Sequence, residues 1–392
     1  MSERRVADPR LIVYVGKGGT GKTTIAAATA VRAAALGYRS LVVSTDIAHS
    51  LGDVLDVRLG AAPTAIGERL FAQEVNVLEE TRREWGRLHD SLAALFEREG
   101  LSAVQADELA VIPGMEEVAA LMQIARSARS GDYDCIVVDA APTGETIRLL
   151  SMPESFVWYA GRLEEWRGRL MRFAAPLLRG VVPQVNLAGV ARKVSERVRT
   201  LRELLVDPAR SSYRLIVTAD RTVIKEARRA ETYLNIFQYP IDAVILNRLI
   251  PVEAGGTPYV DALLARQAQG VDEVQRTFPT LPLLEAPFTL VEPVGLEALA
   301  ELGTLLFGER DPIVQFHAGP TMRVEKSGDG FVLRIPMPNV EITKLALRKV
   351  GDELYIDVGN VRRELMLPLA LVDLEPGKAR ISEGALEIPF SQ

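Results

Sequence analysis

At 392 residues the chain can hold two or three domains of about 100–200 residues each, and its 48% hydrophobic and 25% charged residues exclude a disordered or fibrous protein. A net charge of −6 gives no electrostatic grounds for binding nucleic acid or an anionic membrane surface. One cysteine, Cys135, and three scattered histidines (His49, His89, His317) exclude an intramolecular disulfide and any cysteine- or histidine-rich metal centre. The opening MSERRVADPR has no apolar core of a secretion signal, and no run of about 18 uncharged apolar residues occurs. A cytoplasmic protein with no stable membrane anchor and no nucleic-acid partner is expected.

Short apolar runs alternate with helical patterns as far as about residue 308. Strands are expected at 11–15 (LIVYV), 40–44, 135–140, 213–219, 242–247 and 281–286. Near-continuous apolar strands separated by helices predict an α/β domain, a doubly wound and mostly parallel sheet covered on both faces. With no second phosphate loop and no internal duplication, residues 1–310 read as one domain. Residues 153–208 interrupt the alternation. Tyr159, Leu163, Trp166, Leu170, Phe173 and Leu177 recur at helical spacing, and Val190, Val194, Val198, Leu201 and Leu205 form a second stripe. This helical insertion either packs on itself or a second subunit, or offers a groove to an apolar client, with Trp158, Met171 and PLLRGVVP contributing. Over 311–392 short alternating strands take over: FVLRIPM, LALRKV, ELYIDV, RRELML and ALEIPF. Gly351-Asp352 and Gly359-Asn360 sit between them as two-residue hairpin turns do, so a small all-β sandwich is expected there.

The run Gly16-Lys17-Gly18-Gly19-Thr20-Gly21-Lys22-Thr23-Thr24 follows the first expected strand and opens the helical TTIAAATAVRAAALG. It has the phosphate-loop spacing G-x-x-x-x-G-K-[ST] in the strand–loop–helix setting that motif requires. Glycines let backbone N–H groups converge on phosphate oxygens, and the helix N-terminus adds a favourable dipole. Lys22 is placed to neutralise the β- and γ-phosphates, and the Thr23 hydroxyl to ligate Mg²⁺. Asp139 ends the strand CIVVDA, where a carboxylate would hold the magnesium-bound water, and Asp46 follows LVVST, where it could orient the attacking water. Strand-end aspartates also serve as helix caps, but with the loop these two make a set. Lys17 is one lysine more than a phosphate loop needs. It is either a solvated side chain or a cation that reaches a second nucleotide's phosphates in trans, which requires a dimer.

KGGTGKTT resembles the deviant Walker A motif of the SIMIBI-class NTPases, whose signature lysine contacts the partner subunit's nucleotide. Within that class STDIAHSLGDVL (44–55), PGMEEVAAL (113–121), DAAPTGETIRLLSMP (139–153) and ILNRLIP (245–251) resemble the arsenical-pump and tail-anchored-protein-targeting ATPase family. The resemblance covers residues 11 to about 308. It implies an ATP- and Mg²⁺-dependent hydrolase acting as a homodimer, with Lys17 as an intermonomer catalytic lysine. It also implies that Asp46 is the switch I aspartate that orients water, that Asp139 is the switch II aspartate near Mg²⁺, and that Asn247 reads adenine. Asp220 takes the place of an acidic residue that reaches the other subunit's nucleotide, and Pro287 and Phe288 lie where the family closes the base pocket.

Two positions depart from the family's pattern: Ile47 replaces the proline of STDPAH, and Glu145 the histidine of DTAPTGHT. The cysteines that clasp zinc at the dimer interface in eukaryotic targeting members are absent, so no zinc is expected there. The cysteines that bind arsenite in pump members are absent too. The C-terminal strands, from TMRVEKSGDGFVLRIPMPNV to GALEIPF, resemble the α-crystallin domain of small heat-shock proteins, which places the chain in the bacterial and plastid branch carrying that appendage.

The expected function is a homodimeric ATPase that opens and closes around a hydrophobic protein client or a small apolar ligand, with an output like membrane-protein targeting or chaperoning. Two alternatives are a client-binding chaperone that uses ATP only as a conformational ligand, and an arsenical-pump-type ATPase subunit. Soft trivalent arsenic needs thiolates, which opposes the second.

Overall fold

The computed structural model describes residues 8–46, 50–76, 115–140, 196, 199–319, 322–328, 330–340, 345–359 and 361–391. Ile47, Glu145 and most of the insertion at 153–208 lie outside the described residues.

The first part of the chain supplies strands β1 (Arg10–Gly16), β2 (Ser40–Ser44), β3 (Thr64–Gly67), β4 (Leu70–Glu74), β5 (Cys135–Asp139), β6 (Ser211–Val217), β7 (Ile241–Leu249) and β8 (Leu283–Pro287). They form a sheet in the order β3-β4-β2-β5-β1-β6-β7-β8. Every neighbouring pair from β4 to β8 is parallel, and β3 pairs antiparallel with β4 at one edge. The expected strands are present within two residues at either end. The edge hairpin β3–β4 is a further element: β3 alternates between half-buried and exposed residues, and β4, though largely buried, ends in the polar Gln73 and Glu74 instead of running continuously apolar.

Helices α1 (Lys22–Ala35), α2 (Ser50–Leu55), α3 (Met115–Arg129), α4 (Arg221–Ile236) and α5 (Pro258–Thr277) lie between these strands, and α6 (Gly295–Phe307) follows the last of them. One face of the sheet is covered by α1, α2 and α6, whose alanines and leucines join Ile12, Tyr14, Val42, Val137 and Ile245 in one buried cluster. The alanine-rich α1 is both a strong helix former and thin enough to lie flat on the strands. Helix α4 packs on the other face, against β1, β6 and β7. Helix α3 belongs to a second compact unit and buries Leu121, Ile124, Ala125 and Ala128. Among the described residues no helix is long and apolar enough to cross a membrane.

Beyond Gly308 the chain turns to antiparallel β structure. Strands β9 (Arg323–Ser327), β10 (Gly330–Pro336), β14 (Glu375–Pro376), β15 (Arg380–Ser382) and β16 (Ala385–Ser391) form one sheet; β11 (Leu345–Val350), β12 (Glu353–Val358) and β13 (Val361–Met366) form another, and a short helix α7 (Leu369–Val372) links them. Val350 pairs with Glu353 and Val358 with Val361, so both hairpins turn through the expected two residues. Leu333, Ile335, Leu354, Ile356, Leu386, Ile388 and Phe390 make the sandwich core, and Ile236 at the end of α4 is buried among them.

Candidate functional site: the phosphate loop and the carboxyl edge of the sheet

Because β1, β2, β5, β6, β7 and β8 run parallel, their carboxyl ends share one edge. That edge is where open α/β sheets bind ligands. It brings together the loop after β1, Asp46 after β2, Asp139 at the end of β5, Asp220 after β6, Asn247 near the end of β7 and Pro287 closing β8.

The loop has no room for larger residues. A Cβ on Gly16 would lie 2.6 Å from the Ile216 carbonyl oxygen of the adjacent strand. Gly21, just before α1, has φ 90° and would drive a Cβ into Asn247 Nδ2. That same nitrogen donates to the Thr20 carbonyl at 2.8 Å, while Asn247 Oδ1 accepts from the Arg248 N–H at 2.9 Å. A primary amide has two N–H groups and two carbonyl lone pairs. Asn247 therefore splints the loop to β7 and keeps one donor and one acceptor for another group. The loop is closed further by Thr20, whose backbone N–H and hydroxyl both donate to the Lys17 carbonyl, at 3.3 and 2.8 Å.

The two lysines behave differently. Lys22 is buried, and its ammonium donates to the Lys17 carbonyl at 3.4 Å. Lys17 is 42% exposed with its ammonium 4.0 Å from the Glu226 carboxylate on α4.

Asp139 is buried at the floor of the site. Burial pushes its carboxyl up to about 6, opposed by the hydroxyl of Thr23, the charge of Lys22 and the hydroxyl of Ser44; Asp46 adds to the rise. Ser44 donates to Asp139 Oδ2 at 3.2 Å and accepts from the Asp46 N–H at 3.3 Å. Thr23 Oγ1 lies 3.3 Å from Ser50 Oγ at the start of α2. A buried carboxylate among hydroxyls is a set of hard oxygen donors, the kind that fits Mg²⁺. Among the described residues no group of three or more histidines, cysteines, aspartates and glutamates could hold a metal alone. Such a cation would take its remaining ligands from phosphates and water, as Mg²⁺ commonly does. Ser44, Ser50 and Glu226 are site neighbours absent from the sequence reading. Only Ser44 carries a local signal, since it ends a strand two residues before Asp46.

The remaining candidates lie along the same edge. Asp220 precedes α4, accepts from Thr218 Oγ1 at 3.0 Å and pairs with Arg266 of α5 at 2.5 Å. Pro287 pairs with Leu249 of β7, next in the sheet to the strand of Asn247. Phe288 donates its N–H to the Leu249 carbonyl at 2.7 Å and leaves its ring half exposed, followed by the exposed Leu290 and Val291. Cys135 is completely buried in β5, and burial pushes its thiol up to about 12.

The anion-transporting ATPase family matches residues 9–308 of this sequence. The chain belongs to that family. A second match, to the HSP20-like domain found in ArsA, covers residues 328–390 of this ATPase. A protein of Chlorobaculum tepidum named as an arsenical pump-driving ATPase is 34% identical over 97% of this chain and 96% of its own. One of the same name from Aquifex aeolicus is 34% identical over 97% of this chain and all of its own length. The ATPase GET3B of Arabidopsis thaliana is 29% identical over 74% of this chain and 77% of its own. As a member of the family the protein is an ATP-hydrolysing enzyme of the ArsA/GET3 kind.

Proposed function

We propose that this ATPase works as a Mg²⁺-dependent homodimer that closes on ATP, opens after hydrolysis, and so grips and releases a hydrophobic or protein client. The observation that carries this reading is the split between the two lysines of one loop. Lys22 is packed into the phosphate cradle, whereas Lys17 points away to Glu226 across 4.0 Å. An exposed ion pair of that length is worth little, so Lys17 exchanges it readily for a phosphate held by a second subunit.

Within one subunit, Lys22 and the backbone N–H groups of Gly18 to Thr24 hold the phosphates. Asp46, fixed at its backbone by Ser44, orients the attacking water. Thr23 and Asp139 would hold Mg²⁺, which would supply positive charge against the phosphates. Asn247 offers its remaining N–H and lone pair to the adenine edge, between the loop and the apolar Pro287–Phe288 turn. Asp220 is held by Arg266 on the rim and would reach a neighbouring nucleotide by leaving that exposed pair.

Arsenite on thiolates does not suit this chain. Its one cysteine is completely buried with a thiol pushed up to about 12, and trivalent arsenic is a soft centre that needs accessible thiolates.

Lys17→Ala and Asp46→Asn are each expected to lower ATP turnover by at least about 100-fold with an unchanged melting temperature. Normal turnover in both sinks the mechanism. For the client, Asp46→Asn protein would be isolated from cells with ATP and Mg²⁺ and its partners identified by mass spectrometry. Partners with exposed apolar segments should be enriched over an Asp46→Asn/Lys22→Ala control; equal recovery from both removes the nucleotide-gated grip.

A further inference from the structure

Strand β7 is irregular at the point where Asn247 stands. Leu246 pairs with Glu285 and Leu249 with Pro287, so three steps along β7 match two along β8 and the chain bulges at Asn247 and Arg248. Arg248 takes up the bulge with φ 63°, in the left-handed region that residues bearing a Cβ disfavour. Its side chain is exposed, so side-chain packing does not hold the turn. A turn of this kind persists only where its surroundings fix it, and bulges beside functional sites re-aim a side chain.

Hydrogen bonds on both sides supply the hold. On the near side Asn247 Oδ1 accepts from the Arg248 N–H. On the far side Gln267, in the middle of α5, grips Ile250. Its Oε1 accepts from the Ile250 N–H at 2.8 Å, and its Nε2 donates to the Ile250 carbonyl at 2.9 Å. A side-chain amide that meets both backbone groups of one residue acts as a neighbouring strand would, fixing direction as well as position. The helix is itself firmly seated. Gly270, one turn further on, is buried, and a Cβ there would run into the Ala219 carbonyl; Arg266 pairs with Asp220. Residues 266, 267 and 270 occupy neighbouring positions on the helix surface, so α5 clamps the loops after β6 and β7 together.

We infer that Gln267 is a positioning residue for base recognition. Through Ile250 it holds the left-handed turn at Arg248, and through that turn it aims the Asn247 amide, which is tied on its other side to the Thr20 carbonyl. The inference rests on Asn247 reading adenine, as proposed above. One free N–H and one free lone pair match the ring nitrogen and amino group on an edge of adenine, whereas guanine presents an oxygen in place of that amino group. The match demands a fixed amide. Released from Gln267, Arg248 relaxes towards negative φ and Asn247 turns with it. The loss falls on the choice of base, since the phosphates are the same for every nucleotide.

The test measures the affinities of the full chain for ADP and GDP by calorimetry, using diphosphates so that turnover does not intervene. Gln267→Met removes both hydrogen bonds at a similar side-chain length. It should weaken ADP about fivefold or more and change GDP by less than about twofold, so that the preference for ADP narrows. Equal weakening of both would mean that the clamp only stiffens this edge, and would overturn the inference. The same change is then made in an Arg248→Gly chain, where a glycine adopts φ 63° freely. There Gln267→Met should alter the preference less than it does in the unaltered chain, and an equal effect in both would overturn the role given to the turn. Asn247→Ala separates this inference from the reading beneath it. A preference that survives Asn247→Ala, or is absent from the unaltered chain, removes the adenine reading itself. A preference lost in Asn247→Ala but kept in Gln267→Met removes the positioning role alone.

Discussion

Arg214 and Asp242 are both fully buried, 3.0 Å apart, on adjacent strands β6 and β7. Burial alone favours the neutral guanidine, but the charge of the Asp242 carboxylate and the hydrogen bonds to Asp242 and the Tyr14 hydroxyl outweigh it and hold Arg214 protonated. The guanidinium also donates to the Val314 carbonyl at 3.1 Å and stacks 4.4 Å from the ring centre of Phe316, and Asp242 accepts from the Phe316 N–H at 3.2 Å. A charged pair inside a sheet is stabilising only while it is complete. Asp242→Ala is therefore expected to cost about 3–5 kcal/mol in urea unfolding, because it leaves a buried cation. Arg214→Met with Asp242→Leu should recover most of that loss, and a double variant as unstable as the single one would contradict this account. The arginine is visible in the sequence as one charge inside the apolar strand YRLIVTA. Its partner, 28 residues away, is visible only once the strands are paired.

At the scale of elements, what was legible depended on how an element is stabilised. The inner strands of the parallel sheet are buried on both faces, so they read as continuous apolar runs and were expected within two residues. Strand β3 is half-solvated and β4 ends in two polar residues, so TAIG and LFAQE have no such continuous run. The phosphate loop was legible because its glycines answer steric demands fixed by the fold, at Gly16 against β6 and at Gly21 against Asn247. The contact of α4 with the sandwich was not legible, since it joins residues about a hundred positions apart that share no motif. Glu231 is the informative member of that contact: burial pushes its carboxyl from the ordinary 4.5 up to about 7, against the lowering effect of the Asn339 hydrogen bond. Between those values the folded chain holds a proton that the unfolded chain has lost, so stability falls as pH rises through that window. Glu231→Gln keeps an acceptor for Asn339 and removes the titration. Its melting temperature is expected to be flatter from pH 4.5 to 7 than that of the unaltered chain. At pH 8 it should be the more stable of the two, by on the order of 1–3 kcal/mol. An unchanged pH profile would mean that Glu231 does not titrate in this range.

At the scale of the molecule, the sheet has two differently used edges. The segment after α6 is stitched to the amino ends of the strands: Tyr38 donates to Asp311 at 2.7 Å, Arg10 to the Ile313 carbonyl at 3.1 Å and Arg214 to Val314. The sandwich is thereby tied to the ATPase domain through a fixed connection as well as through α4. Among the described residues, the carboxyl edge carries Lys17, Asp220 and Arg266 with exposed side chains and, at its β8 end, the exposed apolar Phe288, Leu290 and Val291. Exposed apolar residues that share an edge with exposed charges are what an interface forming only in one nucleotide state requires. If ATP closes a dimer across this edge, the apolar turn after β8 is buried with it. Leu290→Asp places a carboxylate in that contact without touching the phosphate loop. In sedimentation runs with ATP and Mg²⁺, Asp46→Asn protein should move from the 42.9 kDa of one chain towards twice that mass, and Asp46→Asn/Leu290→Asp protein should stay at the lower value. On an otherwise unaltered chain, Leu290→Asp should bind ATP as the parent does yet turn it over at least about tenfold more slowly, because Lys17 no longer reaches a second site. A monomeric Asp46→Asn protein under these conditions, or full turnover in Leu290→Asp, would show that this edge works without a partner.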